Sequence, residues 1–211
     1  MHCFIFLIFF LFAGCSLFYS TPKIEKQKPL YELSSAPLDE EYFHSPTGDI
    51  AGLIPKDWLQ VNTENIPEFE NILGVYTDPT RSRAMVLIEI PGTADVRRKI
   101  ERDGILALAE ESFQMKLKKH PNLVLLRQAQ VLTADSMLFA NYEYSQTLTD
   151  GGMLHNRVVT FSAGIRFYEL AMVELRPSAA ENQYLENFRL LQSVMARLEG
   201  VAAVRQANTT R

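Results

Sequence analysis

Four stretches in the second half of the chain set its character, because in each the apolar residues alternate with polar ones or run together: Leu123 to Leu132, Met137 to Leu148, Met153 to Ser162 and Ile165 to Leu175. Their lengths and their β-branched and aromatic content predict strands. Asp150-Gly151-Gly152 and Ala163-Gly164 stand between them and supply the positive-φ residues that tight hairpins demand. A turn centred on Gly151-Gly152 sets Tyr144 opposite Val159 and Tyr142 opposite Phe161. The last stretch is apolar on both sides, with Phe167, Ala171 and Val173 on one and Tyr168, Leu170 and Met172 on the other. Such a strand is covered above and below.

Upstream, Ala94 to Lys119 carries Val96, Ile100, Ile105, Leu108, Ala109, Phe113 and Leu117 mostly three to five residues apart, the spacing of a helix laid on a sheet. Asp103-Gly104 kinks or splits it. Lys116, Lys118 and Lys119 suit the carbonyl end of the helix dipole, and Pro121 pushes His120 out of helical geometry. Before this helix, Leu73 to Thr77 and Ala84 to Ile90 form a hairpin around Asp78-Pro79-Thr80-Arg81. Two short extended pieces around Tyr42 to Ile50 open the fold, and Pro55 confines a strand reaching Ile54 to an end or an edge. After Pro177, Ser178-Ala179-Ala180-Glu181 has capping-box spacing. It opens a helix with Tyr184, Phe188, Leu191, Met195 and Leu198 on one stripe, ending at Gly200.

The amino terminus has a different pattern. Phe4 to Phe12 is an unbroken apolar run followed by Ala13-Gly14-Cys15. It resembles the bacterial lipoprotein signal, in which the thiol is alkylated by a diacylglyceryl group and the chain is cut between Gly14 and Cys15. The run is about half of the roughly 20 residues that a spanning helix needs. The resemblance implies lipidation at Cys15 and an address on the bacterial cell envelope. Ser16 after Cys15 resembles the pattern of the periplasmic face of the outer membrane, the inner membrane being the alternative. From Ser16 to about Glu40, Pro22, Pro29 and Pro37 punctuate a polar stretch without period, which reads as a tether. The boundaries are then a signal segment 1–14, a lipidated cysteine and tether 15–40, a folded domain 41–199 and a frayed tail 200–211.

Charge and cysteine usage narrow the chemistry. The 211 residues are 47% apolar with a formal charge of −4 and a pI near 5.6, which argues against nucleic acid as a partner. Cys3 leaves with the signal and Cys15 becomes a thioether, so the exported domain has no thiol for a disulfide, a nucleophile or a metal site.

The phrase Tyr42-Phe43-His44-Ser45-Pro46-Thr47-Gly48, the segment Ile54-Pro55-Lys56-Asp57-Trp58 and the closing Phe188-Arg189-Leu190-Leu191-Gln192-Ser193-Val194, in the element order above, resemble the PsbP-like superfamily. That superfamily includes the extrinsic photosystem subunit, a Ran-binding nucleotide-release factor and many bacterial envelope lipoproteins. The resemblance covers about residues 41 to 199. It implies an α+β fold, an antiparallel β-sheet flanked by helices in an α/β/α sandwich, and it carries over no active-site residue, since function does not travel with fold.

Candidate sites are few. Trp58, with Leu59 and Val61 beside it, reads as a core residue rather than a recognition aromatic. His44, His120 and His155 have no metal-ligand spacing, and Glu64, Glu68 and Glu70 with Asn62 and Asn65 lack the order of a calcium loop. No Gly-x-Ser-x-Gly elbow raises a serine to nucleophile. Arg97, Arg98, Lys99 and Arg102 cluster near the start of the long helix beside Asp95, Glu101 and Asp103, and they form the candidate docking patch. The expectation is a non-enzymatic, lipid-anchored scaffold or binding module without cofactor or metal, held to the membrane and to another envelope protein. The alternative is a carrier of a small ligand or lipid in a pocket between the sheet and the long helix.

Overall fold

The computed structural model describes residues 34, 36–63, 71–134, 137–175, 186–187, 189–191, 193–194 and 199–200. A small sheet opens the fold: β1 (Leu38–His44) pairs antiparallel with β2 (Ile50–Pro55). Strand β1 therefore begins at Leu38, within the stretch 15–40 that the sequence pattern reads as tether, and upstream of it the Ser34 N–H reaches Ser193 Oγ at 2.8 Å. Pro37 reads as a linker residue, yet its carbonyl accepts the Lys56 N–H at 2.9 Å and Leu38 lies opposite Pro55. On the other side of β2 lies the two-residue β10 (Glu199–Gly200), so Gly200 belongs to a ladder rather than to a tail.

The larger sheet has seven antiparallel strands. They are β3 (Leu59–Gln60), β4 (Ile72–Thr77), β5 (Arg83–Ile90), β6 (Leu123–Ala134), β7 (Met137–Thr147), β8 (Met153–Ala163) and β9 (Arg166–Glu174), in the spatial order β3-β4-β5-β9-β8-β7-β6. Strands β6 to β9 form a meander that returns to lie against β5. The chain crosses from β5 to the far edge through α1 (Ala94–Asp103) and α2 (Ile105–Lys119). Gly104 divides them at φ +77°, ψ −164°, a conformation open essentially to glycine alone.

Alternation on the strands sorts two cores. Met85, Leu87, Phe139, Val159, Phe161, Leu170 and Met172 cluster with Ile50 of β2 and with Leu190, Leu191 and Val194, in a stretch whose described residues are helical. Ala140, Tyr142, Tyr144, Val158 and Ala171 cluster instead with Ala109 of α2, with Phe113 and Leu117 packed against them. Each fully buried Leu, Phe or Met contributes about 1.5–3 kcal/mol. The sheet is thus antiparallel with α1 and α2 on one face. The other face is shared by the β1–β2 ladder and the residues near 190, so helices alone do not flank it. The capping box at 178–181 and Tyr184, Phe188, Met195 and Leu198 lie outside the described residues.

The β7–β8 hairpin differs in register from the two-glycine turn. Tyr144 pairs with Asn156 and Tyr142 with Val158, while Phe161 lies opposite Phe139 with ring centroids 5.5 Å apart. The loop is longer because, of the two glycines, only Gly151 takes positive φ. Leu148 N–H closes the loop onto Gly152 O at 2.8 Å, and Asp150 Oδ1 accepts the Gly152 N–H at 2.8 Å.

Candidate functional site

Thr93 starts α1 by accepting the Val96 N–H at 3.3 Å, and Val96 is buried. That fixes the rotation of the helix and turns Arg98, Lys99 and Arg102 outward. They line one open concavity of about 530 Å³ together with Thr93, Asp95 and Glu111. Arg97 is not among them. Its Nε donates to Gly92 O at 3.0 Å and its guanidinium lies over the Phe167 ring, 5.7 Å from the centroid, so it fastens the helix start to β9.

Each of the other three cations has a carboxylate beside it. Arg98 pairs with Asp95, Lys99 Nζ lies 2.7 Å from Glu111 Oε2, and Arg102 grips Asp103 through Nε and Nη2 at 2.8 and 2.7 Å. The hydrogen bond to Glu111 raises the Lys99 pKa and that to Asp103 raises the Arg102 pKa, while Asp103 is lowered by Arg102. The patch is therefore a mixed-sign surface rather than a basic field. The Arg98 and Arg102 side chains are each 72% exposed, so these pairs are screened and exchangeable.

Two buried polar clusters escaped the apolar pattern. Between α2 and the sheet, Ser112 donates to Glu169, and Lys116 donates both to Glu169 and, at 3.0 Å, to Ser112. Tyr142 lies 2.9 Å from Ser112 Oγ. Because the one hydroxyl hydrogen of Ser112 is committed to the carboxylate, the Tyr142 phenol is the donor in that contact. Burial, then the Glu169 charge, drives the Tyr142 pKa well above its usual range. Ser112 is 1% and Glu169 0% exposed, so the cluster joins helix to sheet, with the Lys116 side chain 20% exposed at its rim. It occupies, with Phe113 and Tyr144, the layer in which the carrier reading places a pocket.

On the opposite face, Arg157 pairs with Glu174, and Asn187 bridges Glu174 to Arg83 at 2.6 and 2.9 Å. Arg83 also lies over Trp58, 5.7 Å from the ring, so Trp58 is a half-buried lid on the core. Farther along the same face Glu143 lies 3.3 Å from Arg127 and 3.4 Å from His155. The sequence signal for both clusters was a charge set in mid-strand among apolar neighbours, at Arg157, Glu169 and Glu143.

The Ser45-Pro46-Thr47-Gly48 phrase is a turn lock. Asp49 accepts from Ser45 and Thr47 at 2.6 Å each and from the Tyr168 hydroxyl. Burial alone raises the Asp49 pKa, but these hydrogen bonds outweigh it and hold the carboxyl below its usual range. Among the described residues no group of His, Cys, Asp and Glu could hold a metal ion, and no helix is long and apolar enough to cross a membrane. Cys15 and the Glu64, Asn65, Glu68 and Glu70 loop lie outside the described residues.

No protein-family model and no curated protein matches the sequence. Solved structures do match. The cyanobacterial PsbP (CyanoP) of Synechocystis sp. PCC 6803 superposes with a TM-score of 0.57 over 82% of this chain and 99% of its own, at 14% identity. This chain carries a PsbP-like fold. The Ran-binding protein Mog1p of Saccharomyces cerevisiae shares it, with a TM-score of 0.51 over 78% of this chain and 96% of its own, at 10% identity. Identities this low give the PsbP-like path of the backbone and leave the side chains of the α1 concavity and the buried clusters to be read on their own terms.

Proposed function

We propose that this chain is a lipid-anchored protein of the bacterial cell envelope, held through Cys15, whose PsbP-like α/β/α domain is a non-enzymatic module that binds another envelope protein. The observation that supports the binding role is the α1 concavity. Arg98, Lys99 and Arg102 are offered to solvent there on carboxylates they can exchange for those of a partner. Alternating signs favour register and partner choice over raw affinity. The reading also fits the buried clusters, in which Ser112 and Lys116 engage Glu169 through Oε2 and Arg157 and Asn187 engage Glu174, behind the surface.

The test uses the full chain, affinity-tagged and extracted from its own membranes in mild detergents. Wild type is expected to retain a stoichiometric protein partner, and the variant R98E/K99E/R102E to lose it while remaining folded. Recovery of no partner by wild type, or of the same partner by the variant, contradicts the assignment.

A further inference from the structure

Strand β6 is 12 residues long and ends the seven-strand order. Among the described residues no strand lies on its outer side. Val124, Leu125, Leu126 and Val131 are exposed along it. Edge strands are ordinarily guarded by charge, proline or bulges, since their free N–H and C=O groups template pairing with another chain. From Leu123 to Ala134 there is no proline and one charge, Arg127, whose Nε is turned to Glu143 of the neighbouring β7 at 3.3 Å.

Two bulges remain as guards, one between Leu125 and Arg127 and one between Arg127 and Gln130. Each slips the register, and the second restores the alternation that the first breaks. Leu125 lies opposite Tyr144 and Val131 opposite Ala140, so both stand on the α2 face. Val124 lies opposite Ser145 and Leu132 opposite Phe139, on the other face. The two ends of β6 are therefore in step although its middle is distorted.

We propose that β6 pairs antiparallel with β6 of a second copy of this chain, about a two-fold axis at Gln128, joining two seven-stranded sheets into one. In that register Leu125 meets the second copy's Val131 and Val124 meets its Leu132, each pair occurring twice and each uniting residues of the same face. A slip of one residue sets one face against the other. An axis at Arg127 opposes two like charges, which is destabilising. The strand is thus its own complement, which selects a second copy over an unrelated extended segment. Two such edges meet along roughly 40 Å, a narrow contact of the kind found in weak, reversible association. The pairing is independent of the anchor and of the α1 concavity.

The test is sedimentation velocity of the detergent-solubilised full chain across a wide concentration range, with disulfide trapping beside it. Directly opposed residues in an antiparallel pair have Cα atoms about 4.5–5.5 Å apart, within disulfide reach. Gln128→Cys is expected to give a disulfide-linked dimer, well above the level of the unsubstituted chain or of Ile165→Cys, which is exposed away from this edge. L125K/V131K is expected to keep its melting temperature and to sediment as a monomer where wild type is dimeric. A wild-type chain that stays monomeric throughout, a dimer that survives L125K/V131K, or equal cross-linking of Gln128→Cys and Ile165→Cys overturns the proposal. So does an edge found paired with a different protein.

Discussion

The sharpest physical test of the fold lies in the pair that fastens α2 to the sheet. The Glu169 side chain is 1% exposed and that of Lys116 is 20% exposed, so Lys116→Met strips the counter-charge from a carboxylate that water does not reach. Removing one partner of a buried pair costs about 3–5 kcal/mol, because the remaining charge keeps its desolvation penalty without its compensation. The partial exposure of Lys116 and the hydrogen bond from Ser112 place this case at the lower end, about 3 kcal/mol. For a domain of this size each kcal/mol shifts Tm by about 2–4 °C, so the loss is about 6–12 °C. The double variant Lys116→Met/Glu169→Met removes both charges and leaves Ser112 and Tyr142 to bond each other. It is expected to recover roughly half of the deficit or more, since apolar replacement of a whole buried pair is often neutral or better. Thermal and urea unfolding of wild type, both single variants and the double variant complete the cycle. A loss below about 2 °C for Lys116→Met, or a double variant that equals the sum of the singles, refutes the reasoning.

Gly104→Ala has room for its methyl group, with nothing within 4 Å, but forces the positive φ on a residue that avoids it; the urea midpoint is expected to fall by the equivalent of about 1–3 kcal/mol with the m-value unchanged. Asp78 closes the β4–β5 turn. Burial alone raises its pKa, and hydrogen bonds from Arg83, Thr80 and Ser82 outweigh that and lower it below 3.8. Its stabilisation is therefore complete above pH 3.8 and is lost as pH falls through the lower folded value, so Asp78→Asn is expected to flatten the acid limb of stability measured by urea titration at stepped pH. Asn187→Ala leaves Arg83 and the buried Glu174 without their bridge and is expected to cost about 1–3 kcal/mol in thermal unfolding. An unchanged Tm there contradicts the bridging role.

The long meander strands were legible because each is an apolar run bounded by glycine or a polar turn, and the break at Gly104 because Asp103-Gly104 interrupts a helical period. Register was less accessible. A Gly-Gly pair suggests a two-residue turn, but Asp150 captures the Gly152 N–H and lengthens the loop, shifting Tyr142 and Tyr144 along β8. Alternation weighs apolar residues and is silent on Glu169, Arg157 and Glu143, charges whose partners come from α2 or from the neighbouring strands of the sheet. The patch at Arg98, Lys99 and Arg102 was legible as a helical surface. That Arg97 turns away to Phe167 depends on where β9 lies, which the local spacing does not contain. Nothing in Leu123 to Ala134 announces an edge, because edge position is set by the order of strands rather than by their composition.

In the proposed function a binding domain is held at a bilayer through Cys15, and the mass of that residue is the decisive observable. Intact and peptide mass spectrometry of the chain from its own membranes is expected to find an amino terminus at Cys15 bearing a thioether-linked diacylglyceryl group. A free thiol at Cys15, or a mature chain beginning elsewhere, contradicts it.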